Sequence, residues 1–416
     1  MKKTLMNIYL FICFFVGTGI ISHVYADNAD VLPKGVFRTN VITNLYSPIK
    51  ERFNPDGDTE DVATDYNKTM NSNVFPSLSL VENGFGMPPG SASIGDSVVS
   101  FKYEFTDLIF NLSYGITDSL TAGIKVPFLW NKTDVKIARL NTTNATVGKN
   151  AGINSFAPLG FPGTVPLTTE DVQHLLGKGL DINGDGIIDV PGFGYKRFKT
   201  WSDNGISDVE AGFRYQYLKT ENWRLAFTGG VRFPTGQVDD PDNLIDVGFG
   251  SGAYALLFRL NNDYTGIKNL LLNATFRYDL YLPDRETKRV PYSVNQPITM
   301  NKEKVERNLG DTFELETSGE YEFLKGLNFS LLYRYGLKQK DSISGNQGFA
   351  YQSLEDETDW TYHLYVVGLS YSTIPLYIEK KFPVPFEASI SYENDFAGSN
   401  NYLKQQLISF GLTVFF

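Results

Sequence analysis

Residues 208–233 read DVEAGFRYQYLKTENWRLAFTGGVRF and alternate between apolar and polar side chains with a period of two. The apolar positions on the two sides of the turn are Val209, Ala211, Phe213, Tyr215, Tyr217, Trp223, Leu225, Phe227, Val231 and Phe233. Glu210, Arg214, Arg224 and Arg232 occupy the alternate positions. Because successive side chains of a strand point to opposite faces, the stretch predicts a β-hairpin with one aromatic face and one charged face.

The same alternation recurs in about twelve segments of the chain. They lie near residues 35–46, 100–115, 119–137, 206–218, 222–234, 244–260, 268–283, 310–324, 326–340, 359–373, 384–395 and 402–416. Short turns alternate with longer connections, the largest at about 47–99 and 138–205, and the short connections include 261–267. This sorting is typical of outer-membrane barrels. We therefore predict an all-β fold, a transmembrane up-and-down antiparallel β-barrel of about twelve strands with long extracellular loops.

The C-terminal segment favours a barrel over a soluble β-sandwich. Phe410, Leu412, Val414 and Phe416 share one face, and the chain ends on phenylalanine. This ending resembles the assembly signal that outer-membrane proteins present to the barrel-assembly machinery. In a sandwich it would leave an exposed hydrophobic edge, whereas in a barrel it pairs with the first strand. We expect the machinery and outer-membrane lipids as partners.

The first residues predict secretion. Two lysines precede an apolar run over residues 5–21, and small or modest side chains lead up to Ala26. We expect a signal peptide over residues 1–26 with cleavage after Ala26, and the barrel over 27–416. The predicted location is the outer membrane of a Gram-negative-type bacterium.

Composition excludes several classes of protein. The net charge of −10 and the lack of clustered lysine and arginine argue against nucleic-acid binding. No stretch beyond the first twenty-odd residues has the ~18 consecutive apolar residues of a membrane helix. The single cysteine, Cys13, lies in the predicted signal peptide, so the mature chain would have neither a disulfide nor a thiolate site.

Glycine and turn motifs resemble a known family. They are Gly205–Val209, Gly212–Tyr215, Gly229–Gly236, Phe249–Gly252, and Tyr114–Asp118 followed by Pro127. In these motifs the chain, over roughly residues 100–416, resembles the outer-membrane β-barrel family assigned to the MetA pathway of phenol degradation. The resemblance implies a barrel that passes aromatic or other small hydrophobic compounds, and it implies no catalytic residue.

The polar faces of the strands would line the barrel with both signs of charge. The predicted pore-lining residues are Arg38, Lys125, Arg214, Arg224, Arg232, Arg277, Arg334, Glu314, Glu316, Glu320, Glu322, Glu387 and Glu393. The basic residues come mostly from the first nine strands and the acidic ones from later strands, so the two sets are expected to face each other across the lumen. Such rows could orient polar solutes in a transverse field, or interlock and close the bore.

The second large loop contains a calcium-loop candidate. The ligands would be the side chains of Asp181, Asn183, Asp185 and Asp189 and the carbonyl oxygen of Ile187. Oxygen ligands at this spacing suit Ca²⁺, but position 12 is Gly192 rather than a bidentate glutamate, so Asp203 or water would complete the shell. The alternative is a solvated turn rich in Asp, Asn and Gly. A hydroxyl start and an acidic first turn predict a short helix over 169–176 just before it.

We predict an outer-membrane channel for passive passage of small, aromatic or hydrophobic compounds, with no required cofactor. The alternative is a non-conducting structural or adhesion barrel whose surface loops mediate interactions. An enzyme is not expected, because the only histidines after Ala26 are His174 and His363. Neither has a nearby serine and oxyanion donor in the sequence.

Overall fold

The computed structural model describes residues 27–294 and 296–416, and the predicted signal peptide 1–26 lies outside the described residues. The described chain forms a closed antiparallel barrel of 12 strands. The barrel strands are β1 (Phe37–Tyr46), β2 (Ser93–Thr117), β3 (Leu120–Asn141), β4 (Val209–Lys219), β5 (Trp223–Phe233), β6 (Ala255–Ile267), β7 (Leu270–Tyr281), β8 (Thr312–Leu324), β9 (Leu327–Lys338), β10 (Trp360–Ser372), β11 (Phe386–Gly398) and β12 (Gln406–Phe415). The predicted fold class and strand number are confirmed.

The barrel closes between its first and last strands. β1 pairs with β12 from Arg38 opposite Phe415 to Tyr46 opposite Leu407, and on its other side β1 pairs with β2. Every neighbouring pair around the ring is antiparallel, so no barrel strand is left with an open edge.

The two ends of the barrel differ in the length of their connections. At the turn end, the chain reverses at residues 118–119, 220–222, 268–269, 325–326 and 373–385, the last of which contains helix α3 (Ile374–Ile378). At the loop end, residues 47–92, 142–208, 234–254, 282–311, 339–359 and 399–405 form a structure that we call the cap. The start of β1 and the end of β12 both lie at the turn end. This is the sorting that the sequence predicts.

Each strand separates its apolar and polar side chains. On β7, Phe276 points outward and is 42% exposed, whereas the neighbouring Arg277 points into the barrel and is 4% exposed. Outward aromatic side chains of adjacent strands contact each other, as in the stacked pair Tyr278 and Phe313. The barrel therefore has an apolar outer surface and a polar interior, the reverse of a soluble globular protein.

The predicted strand over 244–260 is wrong. β6 spans Ala255–Ile267, so the expected connection 261–267 is strand and the turn is at 268–269. The preceding residues fold into the mouth of the barrel, where the carbonyl oxygens of Ile245 and Val247 accept hydrogen bonds from Thr133 and Asn131 of β3. The glycines at 248–252 blur the alternation in the sequence and allow this close packing, since a Cβ on Gly250 would lie 2.3 Å from an Asp208 oxygen.

Two strands are longer than predicted. β2 and β3 have 25 and 22 residues, against predicted spans of 100–115 and 119–137, and their upper parts rise above the barrel into the cap. A short strand, Trp201–Ile206, pairs with this upper part of β3 just before β4 begins lower on the same strand. The long hairpin thus provides one wall of the cap.

The cap has an apolar core of its own. Helix α1 (Leu78–Phe85), helix α2 (Thr169–Leu176) and the loops around them bury Phe75, Leu175 and Leu180. The 3-10 helices are Thr64–Tyr66 and Tyr351–Leu354, and the short strands outside the barrel wall are Glu51–Phe53, Thr59–Asp61, Thr69–Asn71, Val147–Asn150, Ser155–Pro158, Thr164–Val165, Gly179–Leu180, Val190–Pro191, Asp284–Arg289, Lys302–Asn308 and Ser342–Ser344.

The predicted helix over 169–176 is confirmed, and a capping box between Thr168 and Asp171 starts it.

Within the described residues, no helix has the length and apolar character needed to cross a membrane.

Candidate functional site: the lumen and the cap cavity

The first described residues lie inside the barrel. Residues 27–36, which we call the lumen segment, enter from the start of β1 at the turn end and run up the interior. Asp27 is 4% exposed and Ala29 is 0% exposed, although neither belongs to a strand or helix. The barrel interior is therefore occupied by the chain itself.

The carboxylate, the carbonyl oxygen and the backbone nitrogen of Asp27 all contact side chains of the barrel wall. Its carboxylate contacts Arg214, lies 3.1 Å from Arg259 Nη1 and lies 3.6 Å from Arg277 Nη2. Its carbonyl oxygen accepts hydrogen bonds from Asn261 (2.5 Å) and Thr275 (2.9 Å). Its backbone nitrogen donates to Glu316 Oε1 at 3.0 Å. These partners lie on β4, β6, β7 and β8, so one residue ties four strands together.

The rest of the lumen segment is also bound through polar contacts. The Ala29 amide donates to Asp263 (2.9 Å), and the Ala29 carbonyl accepts from Gln216 (2.8 Å). Near the turn end, Asp30 forms an ion pair with Arg224 at 2.6 Å. The Leu32 amide donates to Thr121 of β3 at 2.8 Å. Since the contacts are hydrogen bonds and ion pairs, water could replace each of them if the segment left the lumen.

Glu316 lies at the centre of the buried charges and is 0% exposed. Arg277 of β7 and Arg334 of β9 both donate to its Oε2, at 3.0 and 2.7 Å. The Arg277 side chain also lies 3.5 Å from Glu314. A carboxylate this deeply buried is stabilised only when cations and hydrogen-bond donors compensate for its lost hydration.

A second group of charges crosses the interior between β3 and β7. Glu210 of β4 contacts Lys125 at 2.8 Å and Arg232 at 2.9 Å. Arg232 is 2% exposed and also contacts Asp279 (2.9 Å) and the Tyr281 hydroxyl (3.0 Å). This group ties β3, β4, β5 and β7 together directly, without the lumen segment.

An open space of about 430 Å³ remains beside the lumen segment. On the side away from most of the Asp27 partners, it is lined by Arg38 of β1, Ser113 of β2 and Glu387 of β11. Glu320 of β8 and Asp30 also line it. The bore is thus neither empty nor fully filled, because a polar cavity remains alongside the segment and its ion pairs, and Asp27, Arg214 and Arg259 line it as well.

All thirteen predicted pore-lining side chains lie on the inner side of their strands, but their arrangement differs from the expectation. The acidic and basic sets do not face each other across open water, since Arg277, Glu316 and Arg334 lie on the adjacent strands β7, β8 and β9 and touch. Glu322 instead accepts a hydrogen bond from the Gly326 amide in the β8–β9 turn. Glu393 is 4% exposed and lies two residues before Asp395.

Several residues of this site are not among those predicted from the sequence. They are Asp27, Asp30, Arg259, Asn261, Asp263, Asn273, Thr275 and Asp279. Arg259 and its neighbours fell in the segment whose strand boundaries were placed wrongly. Asp27 and Asp30 precede the first strand, where no alternation indicates that the chain turns inward.

A smaller cavity lies in the cap. It has a volume of about 80 Å³ and is bounded by Val99 of β2, Leu140 of β3, Val172 and Leu176 of α2, and Ile298. A buried water needs about 10–15 Å³, so the space is several times larger than one water requires. The Lys68 side chain also borders the cavity, and burial lowers the pKa of its ammonium group to about 8.

The calcium-loop candidate forms an exposed turn. Asp181 accepts hydrogen bonds from the amides of Gly184 (2.7 Å) and Gly186 (2.8 Å), and Asp189 accepts one from Ile182 (2.7 Å). Among the described residues, no group of three or more acidic, histidine or cysteine side chains is arranged as a metal site. Calcium would therefore have to draw these carboxylates off the amides, and its binding at 181–189 stays a prediction.

The other predicted positions lie on the outside of the barrel. Phe410, Leu412 and Phe416 of the assembly-signal candidate are 46%, 49% and 66% exposed on the outer surface. His363 lies among outward aromatic side chains, with its Nδ1 2.7 Å from the Tyr333 hydroxyl. His174 pairs with Glu170 on the surface of α2 at 3.2 Å.

Solved structures of similar fold include outer-membrane proteins. The COG4313 outer membrane channel from Pseudomonas putida F1 superimposes with a TM-score of 0.53 and 11% identity, covering 95% of this chain and 100% of that one. This chain is an outer-membrane-type β-barrel. At this identity the likeness establishes the fold alone.

Two further solved structures overlap more loosely. The toluene transporter TbuX from Ralstonia pickettii has a TM-score of 0.35 and 11% identity, with 93% of this chain and 92% of that one covered. A Pseudomonas aeruginosa FadL homologue has a TM-score of 0.34 and 11% identity, with 92% and 90% covered.

No family model matches the chain, and no curated protein sequence matches it. The resemblance to the phenol-degradation family therefore stays a prediction from the glycine and turn motifs.

Loss of a buried ion pair should lower the stability of the protein more than loss of an exposed ion pair. Arg232→Met should lower the free energy of unfolding by about 3–5 kcal/mol, because it leaves Glu210 and Asp279 with one cation fewer in the interior. Arg285→Met is the matched control, since Arg285 is an exposed member of a surface pair and its loss should change little. Urea unfolding in detergent micelles, followed by tryptophan fluorescence, measures both. Equal losses of stability would contradict the assignment.

The calcium prediction has a direct calorimetric check. Millimolar Ca²⁺ should give a weak binding heat with the folded protein, because the loop offers hard oxygen ligands at 181–189. Asp181→Asn should reduce that heat, and Asp58→Asn, in another exposed loop, should not. If the wild-type protein gives no heat, the loop is a solvated turn.

Proposed function

We propose that this protein is an outer-membrane channel whose lumen is closed at rest by residues 27–36 and that passes small compounds without an energy source. The observation that carries the proposal is the lumen segment itself. It is held mainly by hydrogen bonds and ion pairs that water can satisfy, and a polar cavity of about 430 Å³ lies beside it. A barrel with a purely structural role has no need of a removable segment in its bore.

The contacts of the lumen segment contribute little net free energy, which favours its release from the barrel. A hydrogen bond inside a protein contributes only about 0.5–1.5 kcal/mol net, because water takes over the partners when the bond breaks. No apolar side chain of the segment beyond Ala29 and Leu32 is fully buried, so few hydrophobic contacts oppose release. The barrel wall is closed through β1–β12 pairing and does not depend on the segment.

We propose small hydrophobic or aromatic compounds as the cargo, captured in the cap. The cavity there is bounded mostly by aliphatic side chains, including Val99, Leu140 and Val172. An apolar compound would gain free energy by leaving water for this space. Lys68 at its border would favour compounds that also carry an acidic or hydroxyl group.

The surface of the barrel supports the proposed placement in the outer membrane. The outward aromatic and aliphatic side chains suit lipid, and the sorted connections would put the turn end in the periplasm and the cap outside the cell. We propose that the exposed face of Phe410, Leu412, Val414 and Phe416 is the part that the barrel-assembly machinery recognises.

One observation favours the alternative of a non-conducting barrel. The cap is held rigidly over the bore, since Arg289 contacts Asp242 and donates to the carbonyls of Phe193 (2.7 Å) and Thr299 (2.6 Å). Together with the ion pairs of the lumen, such a cap suits a protein whose outer surface mediates adhesion. Conductance separates the two functions.

Removing the plug should open the bore. Joining the signal peptide directly to Leu32, which deletes residues 27–31, should raise the single-channel conductance in planar bilayers severalfold, because the contacts of Asp27 and Ala29 are lost. Asp58→Asn in the cap serves as the control and should conduct like wild type. Heat-modifiable mobility on a gel establishes that each variant is folded. A folded deletion variant that stays silent would favour the non-conducting barrel.

Filling the cap cavity should weaken cargo binding. Val172→Phe adds an aromatic ring to the cavity wall and should lower the affinity for small aromatic compounds such as toluene about tenfold, since the space they would occupy is taken. Leu80→Phe, at a 73% exposed position of α1, is the matched control. Titration of the purified protein, followed by ligand-observed NMR, gives both affinities. Equal affinities would place the binding site elsewhere.

A further inference from the structure

The backbone nitrogen of Asp27 occupies an unusual position. It lies 3.0 Å from Glu316 Oε1, and the Glu316 side chain is 0% exposed. If the signal peptide is cleaved after Ala26, as the sequence predicts, this nitrogen becomes the α-amino group of the mature chain. At neutral pH an α-amino group is largely an ammonium ion, so cleavage would place a new positive charge against a buried carboxylate.

Glu316 has one oxygen available for that charge. Its Oε2 accepts hydrogen bonds from Arg277 and Arg334, whereas Oε1 faces the Asp27 nitrogen. An amide can donate one hydrogen bond there, but an ammonium group donates up to three and adds a charge. Hydrogen bonds between charged groups are roughly twice as strong as neutral ones. Cleavage would therefore strengthen a contact that the barrel already forms.

We propose that the α-ammonium group of mature Asp27 is the positioning group of the lumen segment, and that Glu316 is its binding site. Signal-peptide removal then does more than release the chain, because it creates the charge that closes the bore. The proposal deepens the channel function and rests on it. It identifies the ligand of Glu316 Oε1 as this chain's own amino terminus.

The remaining contacts of Asp27 make the site sensitive to chain length. The carbonyl oxygen is fixed by Asn261 and Thr275, and the carboxylate is fixed by Arg214 and Arg259. With the residue held at these points, one added residue cannot be absorbed by sliding the segment. It would carry the ammonium about 3.5 Å away and leave an ordinary amide against Glu316. An extension of one residue thus separates the effect of the ammonium from that of the Asp27 side chain.

The test compares the wild-type protein with a variant that carries a glycine inserted between Ala26 and Asp27. Mass spectrometry first establishes the mature N-terminus of each protein isolated from the outer membrane. In planar bilayers the glycine variant should show an open probability about tenfold higher, because the ammonium no longer reaches Glu316. Asp58→Asn, at an exposed position of the cap away from the lumen, is the control and should leave the open probability unchanged.

A chemical readout tests the same contact without relying on conductance. An amine reagent that modifies α-amino groups selectively near neutral pH should react slowly with the folded wild-type protein and rapidly with the glycine variant. Peptide mapping reads the extent of modification. In Glu316→Gln the α-amino group should also become reactive, provided that gel mobility shows a folded barrel.

The outcomes distinguish this proposal from the channel function. If deletion of residues 27–31 opens the barrel but the inserted glycine changes neither open probability nor labelling, the ammonium has no positioning role and the channel function stands. If the deletion does not open the barrel although the α-amino group is protected, the amino terminus is seated but the channel function fails. A mature chain that begins anywhere other than Asp27 overturns the proposal outright.

Discussion

Backbone hydrogen bonding is the constraint on which this structure depends. In lipid an unpaired N–H or C=O group costs several kcal/mol, so a sheet can span a membrane only if its first and last strands pair. β1 and β12 do so from Arg38 to Tyr46, and this pairing turns an open meander into a cylinder. The outer face is then free to be apolar, and ionic side chains of the wall such as Arg277 and Glu316 point inward.

The inward polar groups create the second constraint, which is charge balance in a confined space. A buried charge without a partner is costly, and Glu316 illustrates the solution, because it is shared by Arg277, Arg334 and the Asp27 nitrogen. The lumen segment contributes the carboxylate that Arg214 and Arg259 contact. The barrel and its plug are therefore held together by the same electrostatic network, which gives the proposed gate its specificity.

Much of the fold could be predicted from local pattern. Alternation in stretches such as 208–233 placed the outward and inward faces correctly, and the sorting of connection lengths indicated a barrel. Prediction failed where local pattern is weak. The glycines at 248–252 hid the start of β6, and the paired ends of the β2–β3 hairpin, residues 93–99 and 138–141, lie beyond the predicted spans.

The sequence by itself determined which side chains face inward, because the period of two in a strand is a local property. Only the tertiary structure decided which charges meet. Arg277 and Glu316 are adjacent because β7 pairs with β8 in one register, and Asp27 reaches them because the chain before β1 turns into the cylinder instead of away from it. Both facts depend on contacts between residues up to 289 positions apart. A local sequence pattern does not indicate which of these distant residues will be in contact, because the contacts form only when the barrel closes.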